Sequence, residues 1–138
     1  NTGRAVRASC SVPGVFRPVS ISGRTYVDGG VVSPLAVDVA RRYGADVVIA
    51  VDISSAMGGA APQGTIDTIL QSIGVMYAKM SAIQRLKADV VITPRVGYIG
   101  SSDFTRRHEA VLEGEKAAQE ALPAINAIIN KLKQEGRL

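Results

Sequence analysis

The sequence has no tryptophan, two phenylalanines, four tyrosines and one cysteine, Cys10. A lone cysteine cannot close an internal disulfide, which excludes a disulfide-stapled scaffold and a cysteine-built zinc site. With so few rings, a core must be aliphatic, built from Val, Ile, Ala and Leu. Long apolar runs are also missing. The longest, Val47–Val51, is strand-sized and far short of the ~20 residues a membrane-spanning helix needs. The charge excess is small, +4 from 16 basic and 12 acidic side chains. The arginines are scattered (among them Arg4, Arg7, Arg17, Arg24, Arg41 and Arg42 in the first half, then Arg106 and Arg107) and interspersed with acids. They also lack the interleaved aromatics that stack bases, so nucleic acid is not an expected partner. No Met and no basic-then-apolar leader opens the chain, and a start at Asn1 is expected of a piece of a longer protein.

What is present is ordinary globular material: 46% hydrophobic and 20% charged over 138 residues, the size of one domain. Residues 3–11 are predicted to form a helical turn that ends before Pro13. Val15–Ile21, interrupted by Pro18, and Thr25–Asp28 are predicted strands joined at Ser22-Gly23-Arg24 as a hairpin. Ser33-Pro34 predicts a helix start, and Gly44 its stop. Asp46–Ile53 carries Val-Val-Ile-Ala-Val without alternation, the pattern of a parallel strand buried on both faces. The Gly-, Ala- and Pro-rich stretch 54–64 is an expected surface loop. Thr65–Lys87 then predicts a long helix with Ile66, Ile69, Ile73, Met76, Met80 and Ile83 on one apolar stripe, expected to pack on the sheet. Asp89–Thr93 is a further short strand stopped by Pro94. Asp103 or Ser102 is expected to cap a helix from about Phe104 to Leu122, with Pro123 starting or kinking a last one that ends near Lys133. Alternating strands and helices argue for an α/β layered fold in one domain.

Asp28-Gly29-Gly30 is the candidate site. Alone, such a triplet makes turns. Here the aspartate ends a strand and a capped helix follows, and the carboxyl ends of strands in α/β sheets are where ligands bind.

The order Ala8-Ser9-Cys10-Ser11-Val12-Pro13-Gly14-Val15-Phe16-Arg17-Pro18, then Tyr26-Val27-Asp28-Gly29-Gly30-Val31-Val32-Ser33-Pro34, then Gly44-Ala45-Asp46, resembles the patatin-like phospholipases, most of all their bacterial members. Asp103-Phe104, Arg106, Glu109, Gly114 and Leu122-Pro123 resemble the family's later helical region, so the likeness covers roughly residues 3–125. It implies a three-layer α/β/α fold with a mainly parallel central sheet. It also implies hydrolysis of fatty-acyl esters by a Ser-Asp dyad, without metal or organic cofactor. Asp28 would be the base and Gly29 and Gly30 would aim its carboxylate. An activated serine needs such a base, together with backbone N–H groups to hold the oxyanion.

The serine is not in this sequence. No G-x-S-x-G occurs. Gly100-Ser101-Ser102-Asp103-Phe104 has phenylalanine in place of the second glycine, and Met57-Gly58-Gly59 falls too late for an oxyanion loop. The chain is therefore expected to be the C-terminal portion of one hydrolase domain, with the N-terminal, serine-bearing half as its partner. By itself it is expected to be inactive. An acyl-ester lipid is the expected substrate, with peripheral membrane contact and a cytoplasmic or membrane-peripheral setting. The rival reading is a non-catalytic α/β interaction or scaffold module, truncated or pseudo-enzymatic.

Other residues have plainer expectations. His108 could complete a Ser-Asp-His order, but its spacing from Phe104 and Val111 is helical, so a core-edge or solvated helical role is expected. Cys10 is expected to be a small buried apolar residue. Ser9 and Ser11 are expected to satisfy backbone groups near Pro13. Asp52, the second acid candidate, is expected to make a turn at Ser54-Ser55, and Asp46 and Asp89 to form lead-in turns to their strands. Met57, Met76 and Met80 could line an acyl pocket or an interface, with loop 56–64 as its lid. A Gly-Lys-Ser/Thr phosphate loop is lacking, which argues against nucleotide.

Overall fold

The computed structural model describes residues 1–54, 64–100 and 103–138. In chain order the elements are α1 (Thr2–Ser9), β1 (Val19–Ile21), β2 (Arg24–Tyr26), a 3-10 turn (Gly29–Val31), α2 (Val37–Arg42), β3 (Ile49–Val51), α3 (Thr65–Arg85), β4 (Val90–Ile92), a second 3-10 turn (Phe104–Arg106) and α4 (Arg107–Gln134). The fold is α/β, and its one parallel ladder among the described residues is β3–β4, with Ile49 opposite Val90 and Val51 opposite Ile92. The expected loop 54–64 and the Gly100-Ser101-Ser102 string fall largely outside the described residues.

β1 and β2 form the expected hairpin, antiparallel with Val19 opposite Tyr26 and Ile21 opposite Arg24. Its two-residue loop puts Ser22 at φ 50° and Gly23 at φ 77°, the doubly positive pattern whose twist matches that of the strands. The first strand is shorter than predicted and begins just after Pro18, which has no N–H to give a ladder.

The start of α2 differs from expectation. Ser33 does not cap it, because the Ser33 hydroxyl instead accepts from Gln84 Nε2 at 2.9 Å and the Leu35 N–H donates to Gln84 Oε1 at 2.9 Å. The segment 33–35 is thus pinned to α3, and the helix starts after Ala36 in the left-handed region. Val37, fully buried, then packs with Val48 and Ala50, flanked by Leu35, Ala40, Ala45 and Ala88. This aliphatic cluster is the core. Burying a side chain of valine's size is worth ~1.5–3 kcal/mol.

Asp89 serves as the expected turn residue. Its Oδ2 accepts from the Val48 N–H at 2.7 Å and pairs with Arg41, whose guanidinium also donates to the Ala45 and Asp46 carbonyls. The bond from Val48 holds the Asp89 carboxyl below the usual range, against a smaller effect of burial and with help from Arg41. Asp46 pairs with Arg137 from beyond the end of α4.

Two expectations about burial fail. In β3, Ala50 is 4% exposed, but Ile49 and Val51 are 44% and 54% exposed, and Ile53 beyond them 67%. Side chains alternate faces along a strand, and Val37 of α2 packs on the Ala50 side, while among the described residues the Ile49 and Val51 side is left open. In α3 the predicted stripe is not the packed side: Ile66, Ile69, Met76 and Ile83 are exposed, and Ile73 and Met80 half-buried. The buried positions are Gly74, Ser81 and Gln84, one residue on from the stripe and hence rotated ~100° about the axis. Small residues admit close approach, and Gln84 is retained because both ends of its amide are bonded. Finally, α4 runs unbroken through Pro123, which forgoes one N–H on an exposed surface instead of starting a new helix.

Asp52 fastens β3 to α3. It is buried, its N–H donates to the Ile92 carbonyl at 2.8 Å, Oδ1 accepts from the Ser54 N–H at 2.9 Å, and Oδ2 lies 3.3 Å from Arg85. Burial alone would raise its pKa, but the Ser54 bonds, Ser81 and Arg85 together bring it below the ordinary value of 3.8.

Two outcomes follow. A depressed carboxyl contributes stability that is present above the unfolded-state pKa and lost as pH falls through the folded value. Urea midpoints are therefore expected to fall below about pH 3.8, the ordinary value. Asp52→Asn should lower stability at pH 7 and flatten that acid limb, and an unchanged limb would remove Asp52 from the account. The open face of β3 predicts that the 138-residue chain by itself self-associates in sedimentation velocity and that Ile49→Lys with Val51→Lys restores monomers. A monodisperse, cooperatively melting parent chain would contradict this.

Candidate functional site

Asp28 lies just past the end of β2 and caps the 3-10 turn. Its Oδ1 accepts from the Gly30 N–H at 2.6 Å. Its own N–H donates to the Ser11 carbonyl at 2.9 Å, and the buried Ser11 hydroxyl donates to the Arg7 carbonyl at 2.7 Å at the end of α1. Ser11 therefore has the backbone role expected of it, and it also joins the Ala8–Pro13 segment to the Asp28 turn. Beyond the turn, the Ser33 N–H donates to the Gly29 carbonyl at 2.9 Å. The half-buried Asp28 carboxylate thus has one oxygen held by backbone, while Oδ2 accepts no hydrogen bond among the described residues.

The two glycines differ. A Cβ at Gly29 would meet nothing within 4 Å, whereas one at Gly30 would stand 2.9 Å from Asp28 Oδ1, 2.9 Å from the Tyr77 hydroxyl oxygen and 3.1 Å from Tyr77 Cε2. Gly30 is the one that a close approach requires.

Tyr77 was not singled out from the sequence. It projects from α3 at the position four before Ser81, on the buried line that Gln84 continues, and that i, i+4, i+7 series of hydrogen-bonding residues beside an apolar stripe was the available signal. Burial pushes its phenol pKa up, and the nearby Asp28 charge adds to the rise.

Tyr77 also walls a cavity of about 800 Å³ at the carboxyl ends of β3 and β4, bounded by Ile53 and Ser54, by Gly74 and Ala78 of α3, and by Pro94, Phe104 and Ala110. An apolar-walled cleft at that end of a parallel pair is the usual place for a ligand. Met76 and Met80 do not line it, and Met57 and the expected lid 56–64 lie outside the described residues, save Gly64.

The rival residues fall elsewhere. His108 is exposed in the first turn of α4 and does not line the cavity, so the helical role expected of it holds. Cys10 is exposed, contrary to the buried position expected, because α1 ends at Ser9 and leaves the next residue outside its packed side. Asp52 makes its turn with Ser54. Asp103 caps the second 3-10 turn through the Thr105 N–H at 3.1 Å, while Arg106 stacks 4.7 Å over Tyr98 and pairs with Glu109. Among the described residues no cluster of three metal-ligating side chains occurs, and no helix is long and apolar enough to cross a membrane.

Comparison with known proteins bears on the same segment. The family described as patatin-like phospholipase matches residues 3–41, the stretch from α1 through the Asp28 turn into α2. The lysophospholipase nte1 of Emericella nidulans is 32% identical over 106 residues, covering 75% of this chain and 7% of that protein. Its namesake in Aspergillus oryzae is 33% identical over 108 residues, covering 77% and 7%. An uncharacterized NTE family protein of Mycobacterium bovis is 32% identical over 79 residues, covering 57% and 22%. The chain spans less than a quarter of the length of these relatives, and the likeness reaches fungal as well as bacterial sequences. With the matched segment centred on the hairpin and the Asp28 turn, and relatives aligned well beyond it, the chain belongs to the patatin-like phospholipase family.

Proposed function

We propose that this chain supplies the proton acceptor, Asp28, of a serine hydrolase acting on fatty-acyl esters of lipids. In this reading the nucleophilic serine and its oxyanion loop come from residues outside 1–138, in a three-layer α/β/α domain whose parallel sheet extends past β3. The carboxylate carries the reading: a backbone N–H fixes Oδ1 while Oδ2 has no partner among the described residues, the state a general base needs. The names of the fungal relatives, lysophospholipases, support a lipid ester as substrate.

The chemistry follows from that geometry. As the serine oxygen bonds to the acyl carbon, its proton passes to Asp28 Oδ2, and the carbonyl oxygen takes negative charge. Collapse breaks the ester bond, and the leaving alkoxide takes the proton from Asp28. A water then gives its proton to the same oxygen while attacking the acyl-serine, which releases the fatty acid and returns the proton to the serine. Each transfer requires reach of ~2.6–3.2 Å, so the carboxylate's direction matters as much as its charge. Gly30 permits that direction because nothing larger fits beside Asp28 Oδ1. The 138 residues without the serine are inactive in this scheme.

The test uses the complete protein and a short-chain ester. Asp28→Asn keeps size and fold but cannot take the proton, and hydrolysis is expected to fall ~10²–10⁴-fold, the worth of a general base. His108→Ala should stay within a few-fold of the parent, and a loss approaching ~10³-fold would instead point to a triad. An active Asp28→Asn protein would overturn the assignment and favour the scaffold reading.

A second comparison separates the glycines. Gly30→Ala is expected to turn the carboxylate aside and cut the rate ~10²-fold, the scale of a 1 Å misplacement, with the melting temperature little changed. Gly29→Ala should be near neutral. Equal effects at both would show that the turn, not the carboxylate's aim, is what these residues secure.

A further inference from the structure

The Tyr77 hydroxyl oxygen is buried and has no hydrogen-bond partner among the described residues. Leaving a buried hydroxyl without a partner is unfavourable, which directs attention to the groups beside it. What stands nearest is known from Gly30. The point where its Cβ would be lies 2.9 Å from Tyr77 Oη and 2.9 Å from Asp28 Oδ1, so the two oxygens are separated by no more than the sum of those distances. A hydroxyl that can donate and the carboxylate oxygen that the Gly30 N–H holds thus stand beside the same glycine, which has no side chain to part them.

We propose that Tyr77 is the positioning residue of Asp28, donating its hydroxyl hydrogen to the carboxylate when the site is engaged, directly or through one water, and so holding the base toward the serine. This rests on the reading of Asp28 as the base and goes beyond it by naming a donor on a different element. Catalytic hydrogen bonds are often long before substrate binds and tighten when it does, and a polar contact too long for a direct hydrogen bond is one a water can span. The raised phenol pKa keeps the hydroxyl protonated, hence a donor, at neutral pH and above. The other ionisable groups on the elements around the turn (Arg4 and Arg7 of α1, Arg24 and Tyr26 of β2, Asp67, Lys79 and Arg85 of α3) are exposed, which leaves the Tyr77 hydroxyl as the buried donor. Because the same ring walls the cavity, substrate entering there would press on the residue that aims the base.

The test is Tyr77→Phe in the complete enzyme, which removes the hydroxyl and keeps the ring. A donor to a carboxylate favours its charged form. Loss of that donor is expected to lower kcat ~10-fold or more with KM little changed, and to move the acid limb of kcat/KM up by roughly one pH unit. Replacing Tyr77 with 3-fluorotyrosine, a stronger donor of nearly equal volume, should move the limb down. Should Tyr77→Phe not fold, the fluorotyrosine limb alone decides. A Tyr77→Phe enzyme with the parent's rate and limb, or a fluorotyrosine enzyme with an unmoved limb, overturns the proposal even if Asp28→Asn is inactive. An active Asp28→Asn enzyme would instead remove the base assignment on which it stands.

Discussion

Gln84 sets the geometry on which the rest depends. A buried amide is tolerated only when its groups are bonded, and Gln84 meets that requirement with the Leu35 N–H and the Ser33 hydroxyl. Those two bonds fix how α3 is turned about its own axis. On the face so fixed, Ser81 comes to Asp52 and Tyr77 to Gly30, so a single rotational choice sets both the attachment of β3 and the neighbour of the base. Each bond is worth only ~1 kcal/mol net, but leaving the buried groups unpaired would cost more. The arrangement is specified more by penalty than by gain.

Ser11 plays the matching part on the other side of the turn. Its carbonyl holds the Asp28 N–H and its hydroxyl holds α1, so two separated motifs of the sequence form one hydrogen-bonded unit. The aspartate is placed by the Ser11 carbonyl just past α1, and by the N–H of Gly30 in its own turn. Among the described residues its side chain is left with one oxygen to use.

Much of this was legible in residues whose signals are local. The hairpin came from Ser22-Gly23, the end of α1 from Pro13, and the site from Asp28 followed by glycines. The start of α2 was misread because Ser33 looks like a cap, and the partner that recruits it, Gln84, lies 51 residues away. The burial of α3 was misread for a related reason. An apolar stripe shows which face can be buried, but the packed face is chosen by what is available to bury it. Among the described residues nothing covers Ile66, Ile69, Met76 and Ile83, whereas the 33–35 segment, Asp52 and the Asp28 turn all offer polar groups that need partners. Tyr77 was missed because its meaning comes from a glycine on another element.

The pairing of β3 with β4 joins residues 41 apart at Val48 and Asp89, with α3 as the connection. Closing a loop of that length costs about 3 kcal/mol in chain entropy, and the ladder that rewards it is only three residues long on each side. Contacts of such long range form slowly, whereas the β1–β2 hairpin is local and escapes most of that cost. During that interval β3 presents an unpaired edge and a row of isoleucine and valine to whatever else is in solution. The order of assembly thus becomes a matter of protection: the hairpin that leads into the Asp28 turn needs only neighbouring residues, whereas the facing edges of β3 and β4 stay open to wrong partners until the two strands meet, and the Ile49 and Val51 face of β3 stays open even then.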